Sequence, residues 1–213
     1  MFRRLNFLAL ALLFSAIGSD VQGALVNFNL LDPTGTANTA GEAFEAGMPF
    51  TNMGITLSAI PTTTLGSGSG TFSANTTSAG INSAGTTADG ASEVDAGETL
   101  TFTVSFAPST IVSLTSIDFS GIGSDATDAA FVSINGGSAI SLFTGQPDFN
   151  GGTDVFTPTI GITSGDTLAI SAADAVGLQE ISFHATALAV PEASSLFALS
   201  LCGFAVLTRR RRA

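Results

Sequence analysis

Carboxylates are the only plentiful reactive side chains in this sequence. Asp89, Glu93, Asp95 and Glu98 fall within ten residues of one another, interleaved with Gly90 and Gly97, and Asp125 and Asp128 form a second pair. Aspartate and glutamate in glycine-rich loops supply the hard oxygen ligands that Ca2+ takes, and backbone carbonyls complete such a shell. Asp89, Glu93 and Asp95 are the candidate calcium ligands on this reading. Their spacing is not that of an EF-hand loop, and a solvated acidic loop is the plainer account. A carboxylate pair also serves glycosidases, but only across a cleft that binds sugar.

Nucleophilic catalysis has little to draw on. His184 is the only histidine, and no Gly-x-Ser-x-Gly elbow accompanies it. The run Gly66-Ser67-Gly68-Ser69-Gly70 has glycine at its centre and lacks the lysine of a phosphate-binding loop. It reads as a flexible loop, and His184 reads as a surface or edge residue. Zinc lacks ligands, since the single cysteine, Cys202, sits near the C-terminus. There is no Trp and no Tyr, so the flat, polar-tipped rings on which sugars stack are missing. Twelve of the 17 phenylalanines fall between residues 24 and 190, most in the inward phase of predicted strands.

Charge narrows the partners. All six basic residues are Arg3, Arg4, Arg209, Arg210, Arg211 and Arg212, whereas residues 24–190 hold fifteen Asp and Glu and no Lys or Arg. Nothing there neutralises phosphates, so nucleic acid is excluded as a partner. An acidic extracellular polysaccharide would need divalent cations to bridge it to this region.

The two ends read as addresses. Arg3 and Arg4 precede an apolar run over 5–17, broken only by Asn6 and Ser15, and Val21-Gln22-Gly23 offers a cleavage site before Ala24. That order is a secretory signal peptide over 1–23, with cleavage after Gly18 as the alternative. At the other end, Val190-Pro191-Glu192-Ala193-Ser194-Ser195 leads into an apolar run over 196–207, and the four arginines follow. Twelve helical residues rise roughly 18 Å, short of a ~30 Å hydrocarbon core. Only Ser200 interrupts the run, which speaks against a soluble amphipathic helix. The arginines act as the membrane stop, snorkelling to the cytoplasmic side.

The tail over 190–213 resembles the PEP-CTERM sorting signal. The carrying residues are Val190, Pro191 and Glu192, then Ser194 and Ser195, the apolar run, and Arg209, Arg210, Arg211 and Arg212; Ala193 stands where the family most often has a second proline. The resemblance implies a Gram-negative-type envelope and an exosortase-type processing protease as partner. It also implies inner-membrane anchoring through the C-terminal helix, then cleavage near Pro191 and delivery to the surface or extracellular matrix.

Between the ends the pattern is that of strands. Glu98–Phe106 alternates, with Leu100, Phe102, Val104 and Phe106 in one phase and hydroxyls in the other. Along Thr110–Ser120, Val112 and Leu114 share one phase while Ile117 and Phe119 share the other, which predicts a bulge or bend near Thr115 and Ser116. Asn135-Gly136 between two apolar runs predicts a hairpin. Pro158 marks 153–162 as an edge strand or a bulge. Further strands are expected over 25–30, 55–60, 167–171 and 178–186. Residues 61–97 read as a long loop excursion with short strands near Thr71-Phe72 and Ile81, and no helix is expected outside the ends.

The expected fold is an all-β antiparallel sandwich of jelly-roll type, with an N-terminal signal helix and a short C-terminal transmembrane helix. The expected organisation is signal peptide 1–23, secreted domain 24–189, and sorting signal with anchor 190–213. The function this supports is a non-enzymatic, exported cell-surface or extracellular-matrix protein. A calcium-dependent carbohydrate-binding module is the alternative, and a hydrolase comes third.

Overall fold

Apolar residues at every second position have to bury one face of each strand, and two sheets laid face to face do this. The computed structural model describes residues 23–32, 39–66, 68, 70–83, 92–120, 129–141 and 154–187. Residues 1–22, which fall in the expected signal peptide, the expected sorting motif Val190, Pro191 and Glu192, Arg209, Arg210, Arg211 and Arg212, and Asp89, Asp125 and Asp128 lie outside the described residues.

The elements in chain order are β1 (Ala24–Asn29), α1 (Ala40–Glu45), β2 (Phe50–Asn52), β3 (Ile55–Thr63), β4 (Gly70–Ala74), β5 (Ala79–Ser83) and β6 (Glu98–Phe106). They continue as β7 (Thr110–Ser120), β8 (Ala130–Ile134), β9 (Ile140–Ser141), β10 (Asp154–Phe156), β11 (Ile160–Ile162), β12 (Thr167–Ala172) and β13 (Gly177–Ala187). A seven-stranded sheet runs β10-β7-β13-β5-β4, with β11 also on β7 and β1 also on β13. A six-stranded sheet runs β2-β3-β6-β12-β8-β9. Ten of the strand pairings are antiparallel: β1–β13, β10–β7, β11–β7, β12–β6, β12–β8, β13–β5, β2–β3, β3–β6, β4–β5 and β8–β9.

The inward phases meet in one core. Phe28, Phe119, Phe183, Leu114, Ile117 and Ile181 come from the first sheet, and Ile55, Leu57, Leu100, Phe102, Leu168 and Ile170 from the second, all fully buried. Phe28 packs edge-on to Phe183 at 5.8 Å between ring centroids, a favoured geometry for aromatic pairs.

Several expectations hold in detail. β7 carries the predicted irregularity: Ile117 pairs with Phe156 and Leu114 with Ile160, so three steps on β7 face four on its partner. Pro158 sits in that gap, between β10 and β11 on the sheet edge, where a missing N–H costs no ladder bond. Asn135 and Gly136 both have positive φ, 52° and 66°, as a primed hairpin turn requires.

Two expectations are corrected. A helix does form outside the ends: Thr39 caps α1 by accepting the Glu42 amide at 3.2 Å, and Met48 N–H closes its C-terminus on Ala43 at 2.8 Å. Its Phe44 lies against Phe72 of one sheet and Phe102 of the other, so the helix seals the open flank of the sandwich. The expectation over 61–83 holds in part: the short strands near Thr71-Phe72 and Ile81 form, but the stretch is not a loop excursion. β3 continues to Thr63, and β4 and β5 form a hairpin whose Phe72 and Ile81 enter the core. Pro61 is accommodated because β2 covers only Ile55–Leu57 on that side of β3.

Register also sorts the connections. β1 begins and β13 finishes at the same end, with Ala24 opposite Ala185. The short turns 53–54, 107–109, 135–139 and 163–166 share that end. The connections 84–97, 121–129, 142–153 and 173–176 join strand ends at the opposite, loop-bearing end. There the run 93–96 stitches the sheets: Glu93 bridges Ile81, Val94 bridges Val176, and Ala96 bridges Ala172. No helix among the described residues is long and apolar enough to cross a membrane.

The stitch depends on a missing side chain. A Cβ on Gly80 would lie 2.2 Å from the Glu93 carbonyl carbon. Gly80→Ala is therefore expected to destabilise the chain by about 1–3 kcal/mol, the cost of overpacking, read as a lower urea midpoint. An unchanged midpoint would show that 93–96 does not hold the sheets together.

Candidate functional site

Acidic side chains gather at the loop-bearing end. The bridges of Val94 to Val176 and Ala96 to Ala172 set the Asp95 and Asp174 chains side by side. Glu93 is on the same run, and Glu98 follows it as the first residue of β6. The connection that carries Asp89 leaves from Ser83 and returns at Ser92 at this end, and Asp89 itself is outside the described residues.

Glu98 is not a solvated loop ligand. It is 1% exposed, where a carboxylate is stable only with hydrogen bonds. Its Oε1 accepts a short hydrogen bond from the Ser83 hydroxyl, and its Oε2 accepts the Asp95 amide at 2.9 Å. Its own N–H donates to the Asp95 carbonyl at 3.0 Å. Ser83 Oγ also lies 2.9 Å from Thr63 Oγ1, and Thr63 Oγ1 accepts the Leu65 amide at 2.9 Å. A hydroxyl has one proton, so with Ser83 donating to Glu98, Thr63 donates to Ser83. The relay runs Leu65, Thr63, Ser83, Glu98 and ties β3, β5 and β6 together. Both Glu98 oxygens are engaged in a structural clasp, which corrects the sequence grouping of Glu98 with exposed acids.

Of the three candidate calcium ligands, Glu93 and Asp95 are placed together on the 93–96 run and Asp89 is not described. Among the described residues no three His, Cys, Asp or Glu side chains are grouped to share a metal ion. His184 is exposed on β13, opposite Leu25. β13 is an interior strand of its sheet, so the residue is a surface one and not an edge one.

Asp118 is a residue the sequence reading passed over. It lies on β7 opposite Val155, and its Oδ1 is buried without a hydrogen-bond partner among the described residues. Burial pushes its carboxyl above the ordinary 3.8, and a hydrogen bond with Ser116 opposes that shift. Strand alternation could have placed it on the outer face, but not the partial burial there.

No protein-family model matches the chain, and no curated protein matches it. Among solved structures it is similar to the exo-β-1,3-galactanase of Phanerochaete chrysosporium bound to β-1,3-galactotriose. That match has 15% identity and a TM-score of 0.35, over 65% of this chain and 35% of that one. The chain thus spans about a third of the length of that structure. Likeness at this level bears on neither activity nor substrate.

Two outcomes follow from the site. Glu98→Ala leaves the Ser83 hydroxyl and the Asp95 amide without their acceptor, and is expected to cost about 1–3 kcal/mol in urea unfolding. Glu98→Gln keeps one acceptor and should cost less; equal stability of all three proteins would contradict the clasp. A raised carboxyl pKa in the folded chain means that ionising Asp118 opposes folding. That opposition is absent well below pH 3.8 and grows as pH rises through the folded value. Asp118→Asn should raise the melting temperature at neutral pH and leave it unchanged well below pH 3.8, and a lower value at neutral pH would contradict the assignment.

Proposed function

We propose that this chain is a non-enzymatic, exported cell-surface or extracellular-matrix protein. A signal peptide delivers it, and a C-terminal signal like that of PEP-CTERM proteins sorts it. The observation that carries the proposal is the order of three parts in the tail: Val190, Pro191 and Glu192, then the apolar run 196–207, then Arg209, Arg210, Arg211 and Arg212. The placement of the strands supports it. β1 starts at Ala24, where removal of the leader would leave the new terminus, and β13 stops at Ala187, before the motif. Both cuts would leave every strand intact.

The jelly-roll form of the sandwich is supported by its strand order. The sets β1/β5-β13-β7-β10/β11 and β6-β12-β8-β9 alternate between the sheets, with β2, β3 and β4 added at the edges. The non-enzymatic reading is supported by the engagement of both Glu98 oxygens in the clasp.

The alternative, a calcium-dependent carbohydrate-binding module, draws on the acidic loop-bearing end, where Glu93, Asp95 and Asp174 come from adjacent chains. An ion at ten times its Kd would add about 1.4 kcal/mol of stability. The leading reading expects no rise in melting temperature on adding calcium, and a rise that tracks occupancy would favour the module instead.

The direct test is the intact mass of the protein recovered from membranes and from the medium. The reading predicts a species that begins at Ala24 and ends near Pro191 outside the membrane. A mature protein that still carries Arg209, Arg210, Arg211 and Arg212 wherever it is found would contradict processing of the tail.

A further inference from the structure

We infer that the outward face of the six-stranded sheet binds a neutral polysaccharide, held through rows of threonine and serine hydroxyls. This goes beyond the proposed function. It stands apart from the calcium-dependent alternative, because no carboxylate points out of this face.

The apolar phase of each strand builds the core, and the other phase builds this face. Leu100, Phe102 and Val104 of β6 are buried in the core, so Thr99, Thr101 and Thr103 point the other way. Register sets Thr62 of β3 and Ser171 of β12 on either side of Thr99, and Ser58 and Thr167 on either side of Thr103. Thr101 lies between Ile60 and Ala169. Outward positions recur about every 6.8 Å along a strand and about 4.8 Å from strand to strand.

Most of these hydroxyls are not used by the fold. Ser58, Thr99, Thr101, Thr103, Thr167 and Ser171 are half-buried by their neighbours, and their hydroxyls make no hydrogen bond among the described residues. Thr63 and Ser83 differ, since their hydroxyls belong to the clasp on Glu98. At the margin, Thr62 Oγ1 donates to the Thr99 carbonyl at 3.0 Å. Each unused hydroxyl offers one donor and two acceptors.

Charge and side-chain type select the occupant. The outward residues of β3, β6, β8 and β12 include no charged side chain. The surrounding region, residues 24–190, carries fifteen Asp and Glu and no Lys or Arg. An anionic polymer meets repulsion around the face and no counter-charge on it, which excludes nucleic acid and acidic polysaccharide. A protein partner or a lipid surface needs large apolar or Arg anchors, and Ile60 and Phe131 are the two large outward side chains on these strands. What fits is an uncharged polymer that brings its own hydroxyls at a regular repeat. Threonine methyls meet the C–H faces of its rings, and Phe131, outward on β8 beside Ser171, offers one ring for stacking. Weak contacts to successive sugars add along the chain. Neighbouring strands are rotated by roughly 20–25°, so the face suits a pliant chain and not the flat plane of a crystal such as ice.

The test is affinity electrophoresis of the full chain in native gels cast with mixed-linkage β-glucan, galactan or mannan, with alginate as the acidic control and a sugar-free non-ionic detergent throughout. The expected result is retardation by at least one of the three neutral polymers, unchanged by EDTA, and none by alginate. Thr99→Val, Thr101→Val and Thr103→Val together remove three hydroxyls and keep the branched shape, and should weaken retardation about tenfold. Thr101→Val alone should weaken it less, and serves if the triple variant does not fold. Serine at the same three positions should retain binding, as should Ser113→Val on the outward side of β7 in the other sheet. No retardation by any neutral polymer, its loss in EDTA, retardation by alginate, or equal retardation of the valine variants and the parent chain would overturn the assignment. So would shaping of ice crystals by a chain that passes the neutral gels freely. None of these outcomes bears on whether the tail is processed.

Discussion

The strand made last holds the first sheet together. β13 hydrogen-bonds to β1, β5 and β7, and it buries Leu178, Ile181 and Phe183. Without it β1 has no partner strand, since its pairing is with β13 alone among the described strands. The seven-stranded sheet therefore closes only when residues 177–187 are available. β13 also brings the start of β1 beside its own end, because the pairing puts Ala24 opposite Ala185.

A domain with no Lys or Arg has to replace ion pairs by other means. Exposed ion pairs contribute little to stability, and here apolar burial supplies the core while hydroxyl chains make the corners. The relay from Leu65 through Thr63 and Ser83 to Glu98 is one such corner. Asn135 is another: its side chain accepts from the Thr167 amide at 2.9 Å and donates to Asp166 at 2.8 Å, joining the β8–β9 turn to the start of β12. Both use acidic side chains as acceptors, Glu98 inside the fold and Asp166 in a surface turn. Glu93, Asp95 and Asp174 lie at the loop-bearing end, where like charges have solvent to screen them.

What the sequence disclosed was whatever repeats with a period of two over a full strand. β6 carries four large apolar residues in one phase and β7 carries two in each of two phases, a slip that marked a bulge or bend before any pairing was known. Asn135-Gly136 disclosed its turn because few other pairs accept two positive φ values. β4 and β5 were hard to read because each has a single large apolar residue, Phe72 and Ile81, and one residue establishes no alternation. α1 is too short to show helical periodicity. Its signals were the Thr39-x-x-Glu42 start and the Gly47 stop, local chemistry that a periodicity reading passes over. Glu98 was misleading because its neighbours Asp89, Glu93 and Asp95 made it look like one of a set. Only the pairing of β6 with β3, and the reach of Ser83, show it to be buried.

The central claim, that the first sheet closes on β13, is tested most directly by amide hydrogen exchange on the full chain. The account predicts that residues 178–185 of β13 exchange only through global unfolding, slower than residues 70–74 of β4 at the sheet edge. Exchange in β13 as fast as in β4 would mean that the last strand is an addition to a sheet that stands without it.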